Sequence, residues 1–209
     1  MARPAFIHIP HGIYSVVSKC NNNEFLFDAH EKFQFYLMHL LYCKKKLGFI
    51  IYDLCCMNNH VHELYRVTEE LTLARILHDV KGHFSRKFNE RFGRTGHFWK
   101  NKPFYKIVQD ESYAYQSSCY YHWNPVRAGL VSHPRDWPFS GYRFHIENDR
   151  SGIIGQLLDP YPTIEVDDII INTSPANNSK LQSLLRDPTQ QFLGDIQFIQ
   201  RMSEKYVKK

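Results

Sequence analysis

Two apolar stretches separated by Asn58-Asn59 constrain the fold of this chain more than any other feature of its sequence. The first stretch, over 47–54, is rich in Ile, Leu and Tyr, and the second contains Leu64 and Tyr65. Both have the composition of β-strands, and adjacent asparagines favour a tight turn. We therefore predict a β-hairpin with its turn at or beside Asn58-Asn59.

The second arm of this hairpin begins with His60-Val61-His62. Side chains alternate across a strand, so His60 and His62 should project from one face while Val61 packs on the other. Two imidazoles on one face can bind a divalent metal when other ligands approach from the same side. The alternative is a pair of ordinary surface or core histidines, because His-x-His often occurs by chance.

The remaining apolar patterns predict helices around this hairpin. The elements follow in the order strand 13–18, helix 28–47, hairpin, helix 68–92, strand 102–108 and helix 111–123. This order favours an α+β fold, in which an antiparallel sheet has its helices packed on one face as a ferredoxin-like sandwich. Composition shifts at about residue 147, so we predict a main domain over 1–146 and a C-terminal extension over 147–209.

The composition excludes several classes of protein. Of 209 residues, 43% are hydrophobic and 22% charged, which is typical of a soluble globular chain. The apolar runs are of strand length, so no transmembrane helix is expected. Five cysteines form no paired spacing, and the first residues lack the pattern of a secretory signal, so a reducing cytoplasm is the expected location.

Positive charge is concentrated between Lys81 and Lys106. This segment contains eight basic residues and a single acid, Glu90, interleaved with aromatic side chains. Such a pattern suggests a polyanionic partner. The alternative is a solvated helix face over an aromatic core.

Tyr120 and Asn124 form a second distinctive pair. Four positions apart, they share a helix face, and Asn124 falls at the helix C-terminus, where the dipole favours a cation. A phenol can attack a phosphate that a metal polarises. The alternative is an aromatic, partly buried helix followed by a turn.

Together these motifs resemble the REP-associated branch of the single-tyrosine HUH transposases, relatives of the single-strand transposases of small bacterial insertion sequences. The resemblance rests on Asn59-His60-Val61-His62 and on Tyr120 followed by Asn124-Pro-Val-Arg-Ala-Gly-Leu-Val. Segments 12–18, 88–99 and 136–143 match the family in the same order. The likeness covers about residues 3 to 145.

The resemblance implies a metal-dependent, single-stranded DNA endonuclease and strand transferase of the HUH type. His60 and His62 would bind the metal, Mg²⁺ or Mn²⁺ in the family, with Asn124 as a polar helper. Tyr120 would attack a DNA phosphodiester, leaving a 5′-phosphotyrosine and a free 3′-hydroxyl. Ligand chemistry alone would not select magnesium, which prefers oxygen ligands, and would allow manganese or zinc.

Single-stranded or hairpin DNA is the expected partner, bound by a monomer rather than a homodimer. The predicted contacts to the DNA backbone are Arg86, Lys87, Arg91, Arg94, Lys100 and Arg127. Two other functions stay open. One is a domesticated protein that binds hairpin DNA without cutting it, and the other is a hydrolytic metallonuclease that draws on Cys55 or Cys56.

Three positions depart from the family pattern. Glu63 replaces an aliphatic residue and should face away from the histidines, where its carboxylate needs a partner or solvent. Lys19-Cys20 replaces the usual Arg-Gly, which puts a DNA contact of that loop in doubt. Tyr121 adjoins Tyr120 but points about 100° away on a helix, so Tyr120 is the predicted nucleophile.

Overall fold

The predicted hairpin lies within the central sheet. The computed structural model describes residues 6–162, 179–187 and 189–207. Strands β2 (Ile50–Met57) and β3 (His60–Arg66) pair antiparallel, with Met57 opposite His60 and Asn58-Asn59 at the turn. The hairpin and its register are therefore as the sequence predicts.

Three further strands complete the sheet in the order β2-β3-β1-β4-β5. Strand β1 (Ile13–Lys19) pairs antiparallel with both β3 and β4 (Phe104–Val108). The short β5 (Phe192–Leu193) runs parallel to β4. The C-terminal extension thus contributes the outermost strand beside β4.

The helices follow the predicted order, with extra short ones after the fourth. They are α1 (His30–Leu47), α2 (Leu73–Leu77), α3 (His83–Arg91), α4 (Glu111–His122), α5 (Asn124–Arg127), α6 (Tyr142–Ile146), α7 (Gly152–Leu157), α8 (Ser179–Arg186) and α9 (Ile196–Tyr206). A π-helical turn over His78–Gly82 joins α2 to α3.

Local chemistry sets the helix ends. Helix α1 ends at Gly48, whose φ of 74° is easily adopted only by a residue without a side chain. Helix α4 begins where the Asp110 side chain accepts a hydrogen bond from the Tyr113 amide at 3.0 Å. The helix predicted to start after Thr68 begins later, because Thr72 caps it by accepting from the Arg75 amide.

Two hydrophobic clusters cover the two faces of the sheet. Tyr14, Val16 and Val61 face α1 and the α2–α3 segment, whereas Ile13 and Leu64 face α4. The α+β class is confirmed. The structure adds that the sheet is mixed, because β5 is parallel, and that α4 packs on the face opposite α1.

Both edges of the sheet are covered by chain from the C-terminal half. At the β2 edge, the Cys56 amide donates to the Phe139 carbonyl at 2.9 Å and the Gly141 amide to the Leu54 carbonyl at 3.0 Å. A side chain at Gly141 would come within 2.0 Å of the Asp53 carboxylate, so glycine is required at this approach. At the other edge, β5 covers β4.

Three expectations from the sequence concern the whole chain. Each of the five cysteines is a buried free thiol. None of the helices in the described ranges combines the length and the hydropathy needed to span a bilayer. The domain boundary near residue 147 stays a prediction.

Candidate active site

The histidines project from β3 toward α4. Alternation along the strand puts His60 and His62 on this face and Val61 and Glu63 on the other. The two imidazole centroids lie 4.9 Å apart. The Nδ1 atom of His60 lies 2.7 Å from Oδ1 of Asn59. With its proton on Nδ1, His60 has Nε2 free to act as a ligand.

Burial keeps both imidazoles neutral. It lowers the pKa of His60 to about 4, and the nearby Lys19 charge contributes to the shift. Burial also holds the pKa of His62 well below its ordinary value, helped by the neighbouring His60 ring and by the charge of Arg127. Neutral imidazole is the form that binds metals. The Nδ1 atom of His62 is buried and has no hydrogen-bond partner among the described residues.

Helix α4 presents its two adjacent tyrosines differently. Tyr121 is 1% exposed, and its hydroxyl hydrogen-bonds to Ser15. Its ring centroid lies 4.7 Å from that of His62, and burial raises its pKa well above the ordinary value. Tyr120 is only half-buried, with its ring centroid 6.5 Å from that of His62. Tyr121 therefore fixes the helix against the sheet, while Tyr120 opens toward solvent.

A buried contact between His122 and Asp53 anchors the C-terminal end of α4, and the sequence analysis did not identify it. His122 Nε2 lies 2.9 Å from Oδ2 of Asp53 on β2, and both side chains are almost fully buried. Burial would by itself raise the pKa of Asp53, but the facing His122 outweighs it and lowers that pKa. Two residues beyond Tyr120, this contact holds the helix end in place.

Arg127 folds back over the end of α4. Its Nη2 donates to the Tyr120 carbonyl at 2.5 Å and to Asn124 Oδ1 at 2.6 Å. Its guanidinium carbon lies 4.3 Å from the centroid of the Tyr120 ring. The amide oxygen of Asn124, predicted to help a metal, is thus bound to Arg127 here. Asn124 Nδ2 is buried without a partner in the part of the chain that is described.

A second guanidinium reaches the tyrosine from the C-terminal extension. Nε of Arg186, at the end of α8, lies 3.3 Å from the Tyr120 hydroxyl oxygen. Its guanidinium carbon lies 5.9 Å from the ring centroid. No sequence signal singled out Arg186, because the contact joins residues 66 positions apart.

These side chains share one open cleft of about 640 Å³. His60, His62, Tyr120 and Asn124 all line it. Four lysines surround them, Lys19, Lys100, Lys102 and Lys106, and no carboxylate from the described residues lines the cleft. A cleft with lysines and without acids attracts anions.

Lys106 ties the C-terminal extension to this cleft. The residue is 1% exposed, and its Nζ donates to the carbonyls of Asp187 at 2.7 Å and Gln190 at 2.5 Å. Burial lowers its pKa to about 8, although Asp187 opposes the shift. Lys106 thereby fixes the chain immediately after Arg186.

The six predicted DNA contacts are dispersed. Lys100 lines the cleft and Arg127 adjoins Tyr120. Arg91 pairs with Glu31 at 2.8 Å and Arg94 with Glu24 at 3.0 Å. Arg86 and Lys87 are exposed on α3. Their role in DNA binding stays a prediction.

A second group of metal-ligating side chains lies at the π-helical turn. Ligand atoms of His78, Asp79 and His83 lie within 4.8 Å of one another. The Asp79 carboxylate already contacts Arg75 Nε at 2.6 Å and Lys46 Nζ at 3.6 Å. Because these cations compensate its charge, this group fits a metal less well than the neutral His60–His62 pair.

Comparisons with known proteins give one family match and a similar fold. The family model described as "Transposase IS200 like" matches residues 10–121. No curated protein sequence matches the chain significantly. A solved structure of a REP-associated tyrosine transposase bound to a REP hairpin is similar, with a TM-score of 0.59 and 18% identity, over 73% of this chain and 90% of that one.

A second solved structure is a crystal structure of a protein assigned as a transposase from Deinococcus radiodurans R1. It has 15% identity and a TM-score of 0.43, over 56% of this chain and 93% of that one. The similarity to the REP-associated structure confirms the fold predicted from the sequence.

Proposed function

The chain belongs to the family of IS200-like transposases, and on that premise we propose that it cleaves and rejoins single-stranded DNA with Tyr120 as the nucleophile. His60 and His62 would hold the divalent metal that the family implies. The product of cleavage would be a 5′-phosphotyrosine and a DNA strand with a free 3′-hydroxyl.

One observation carries this proposal: Tyr120 and the two histidines line the same lysine-rich cleft. The rings belong to elements far apart in the sequence, β3 and α4, and they converge only through the packing of α4 on the sheet. Tyr121, the competing tyrosine, is buried and bonded to Ser15. Tyr120 is therefore the better placed of the two to meet a DNA phosphate.

The proposed step is an exchange of phosphodiester bonds. The Tyr120 oxygen forms a bond to phosphorus while the bond from phosphorus to O3′ breaks. The phenolic proton passes to solvent in the open cleft, and the departing O3′ takes up a proton. Since one ester replaces another, no nucleotide cofactor is required. The reverse attack by a 3′-hydroxyl would rejoin the strand.

The histidine pair fits a divalent cation, with a limit. Both imidazoles are neutral, and His62 Nδ1 has no hydrogen-bond partner within the described residues. A bound cation would supply Lewis-acid polarisation of the scissile phosphate. Asn124 could add the second lone pair of its amide oxygen, because Arg127 occupies only one. We propose Mg²⁺ or Mn²⁺, with DNA phosphate oxygens completing a ligand set that two nitrogens leave incomplete.

Hairpin DNA with single-stranded flanks is the proposed substrate. The similar REP-associated transposase is bound to a REP hairpin in its structure, which supports the same kind of partner here. We propose that a monomer suffices, because Tyr120 faces histidines of its own chain.

A covalent-adduct assay tests the proposal. The full chain is incubated with Mn²⁺ and 3′-end-labelled hairpin oligonucleotides whose single-stranded flanks are randomised, then analysed by denaturing electrophoresis. We expect a protein band that carries the label, present in Tyr121→Phe and absent in Tyr120→Phe and His60→Ala.

Two outcomes would favour the other functions. Hairpin binding without any adduct or cleavage in the wild type would indicate a protein that only binds DNA. Metal-dependent cleavage that survives Tyr120→Phe would indicate a hydrolytic nuclease with water as the nucleophile.

A further inference from the structure

Helix α8 places a cation next to the proposed nucleophile, although it lies in the extension that matches no motif. Leu184 and Leu185, in its last turn, pack against the hydrophobic cluster that includes α4. The next residue, Arg186, lines the cleft. The packing of the two leucines therefore sets where the arginine emerges.

The chain after Arg186 is fixed as well. Asp187 and Gln190 are bound through their carbonyls to the buried Lys106. The Ile107 amide then donates to the Gln191 carbonyl at 2.8 Å, and the Gln109 amide to the Leu193 carbonyl at 2.9 Å. Arg186 thus lies between an apolar contact and a strand pairing, and its backbone has a defined position over the cleft.

Among the described residues, no acid compensates the charge of Arg186. Several other arginines form ion pairs, as Arg66 does with Glu111 at 3.0 Å and Arg94 with Glu24 at 3.0 Å. Over the described ranges, no carboxylate lies within ion-pair distance of Arg186. Its Nε faces the Tyr120 hydroxyl. A guanidinium has five N–H donors, so the Nη groups can bind another anion.

We propose that Arg186 is a further catalytic residue, which contacts the phenol oxygen of Tyr120 and binds a non-bridging oxygen of the scissile phosphate. The inference rests on the proposed function. A phosphorus atom about to be attacked must lie about 3–3.5 Å from the phenol oxygen, which brings its non-bridging oxygens beside the guanidinium.

The role of Arg186 is electrostatic. As the Tyr120 oxygen bonds to phosphorus and the bond to O3′ breaks, negative charge accumulates on the phosphoryl oxygens. A cation already held in place stabilises that charge without reorganisation. Arg186 stays protonated throughout, and the phenolic proton leaves to solvent as before. The same contact would stabilise the transition state of rejoining.

The test measures the single-turnover rate of adduct formation with Mn²⁺ and hairpin DNA. Arg186→Ala should lower that rate by about 10²-fold or more, as the loss of one transition-state donor does elsewhere. Arg186→Lys should recover part of it, because lysine keeps the charge without the planar fork. Arg201→Ala, an exposed arginine on α9, is the matched control and should leave the rate unchanged.

A modified substrate separates catalysis from support of the fold. A methylphosphonate at the scissile position removes the negative charge that Arg186 would neutralise. The ratio of wild-type to Arg186→Ala rates should then fall to within about threefold. A merely structural role would leave that ratio as large as it is with normal DNA.

Each other result overturns the inference. If Arg186→Ala forms the adduct as fast as the wild type, the contact is not catalytic. A faster rate would mean that Arg186 restrains Tyr120. If the wild type forms no Tyr120-dependent adduct at all, the proposed function itself fails and the inference fails with it.

Discussion

The two faces of β3 bury polar side chains in opposite ways. On the α1 face, Glu63 is 0% exposed. Its Oε2 lies 2.7 Å from Lys81 Nζ, and its Oε1 accepts a hydrogen bond from Tyr36. The ammonium also lies 4.6 Å from the centroid of the Trp99 ring. The sequence predicted that the Glu63 carboxylate needs a partner or solvent, and its partners lie inside the protein.

On the α4 face, buried polar atoms lack hydrogen-bond partners. His62 Nδ1 and Asn124 Nδ2 are buried without partners among the described residues, and no described carboxylate lines the cleft that they share. An unsatisfied buried polar group costs free energy, and His62 and Asn124 both line the open cleft, where a ligand can reach them. The difference teaches that the Glu63–Lys81 pair on the α1 face serves stability, and that the unsatisfied groups on the α4 face are the place to look for chemistry.

The largest expected effect comes from the α4 face. His60→Ala should lower the rate of adduct formation by about 10³-fold or more, because the proposed metal ion loses one of its two protein ligands. The free energy of unfolding should change little. Single-turnover gels and urea titrations measure the two quantities. A variant that cleaves at the wild-type rate would separate His60 from the chemistry.

On the α1 face, we expect a large effect on stability and a small one on activity. Glu63→Ala should reduce the free energy of unfolding by about 3–5 kcal/mol, because it leaves the Lys81 ammonium buried and unpaired. The double variant Glu63→Leu with Lys81→Met is the control, and it should recover most of the loss in a urea titration. Its activity per folded molecule should match the wild type. A loss of free energy of unfolding well below this range would show that the Lys81 ammonium reaches solvent in Glu63→Ala.

Metal binding should stabilise the protein through the α4 face, by an amount between those of the other variants. Mn²⁺ at about 100 times its dissociation constant should stabilise the wild type by about 2.7 kcal/mol, seen as a rise in the thermal midpoint. His62→Ala should abolish the rise, and a chelator should reverse it. His83→Ala, in the group around Asp79, should keep it. Loss of the rise in His83→Ala alone would move the metal site to the π-helical turn.

Tyr121→Phe should have a smaller effect. The variant loses the hydrogen bond to Ser15, which should cost about 1–2 kcal/mol because the serine hydroxyl is left buried. The ring stays against His62, so adduct formation should persist. Urea titration and the adduct gel measure both effects. Loss of the adduct in this variant would transfer the nucleophile from Tyr120 to Tyr121.

The last expected effect is a pH dependence on the α4 face. Lys106 has a pKa of about 8 in the fold, against 10.5 for an ordinary lysine. The unfolded chain therefore binds more protons between these values, and the contribution of Lys106 to stability rises with pH across that window. The free energy of unfolding of the wild type should therefore rise relative to that of Lys106→Met between about pH 8 and about pH 10. A constant difference would contradict the lowered pKa.

Residues close in sequence could be placed from the sequence, and residues joined over long distances could not. Strand alternation fixed the direction of His60 and His62, and helical spacing set Tyr120 apart from Tyr121. The ion pairs of Arg91 with Glu31 and Arg94 with Glu24 span 60 and 70 positions, so no periodicity reveals them. Two of the predicted DNA contacts are thereby partly engaged within the protein.

The spacing of Asn124 and Arg127 also predicts their contact. Arg127 lies three positions after Asn124 and therefore on the same face, which explains why it binds the amide oxygen proposed for the metal. Arg186 offered no comparable signal. Its position depends on Leu184, Leu185 and Lys106 acting together, and none of these forms a motif.

The short β5 has a consequence for handling the protein. Strand β4 would otherwise present a row of free amides and carbonyls, and such rows recruit strands from other molecules. Trimming the chain after α6 would remove β5, and the trimmed protein should self-associate as its concentration rises. Insolubility of such a fragment would reflect the uncovered strand together with the loss of the core residues Leu157 and Leu158.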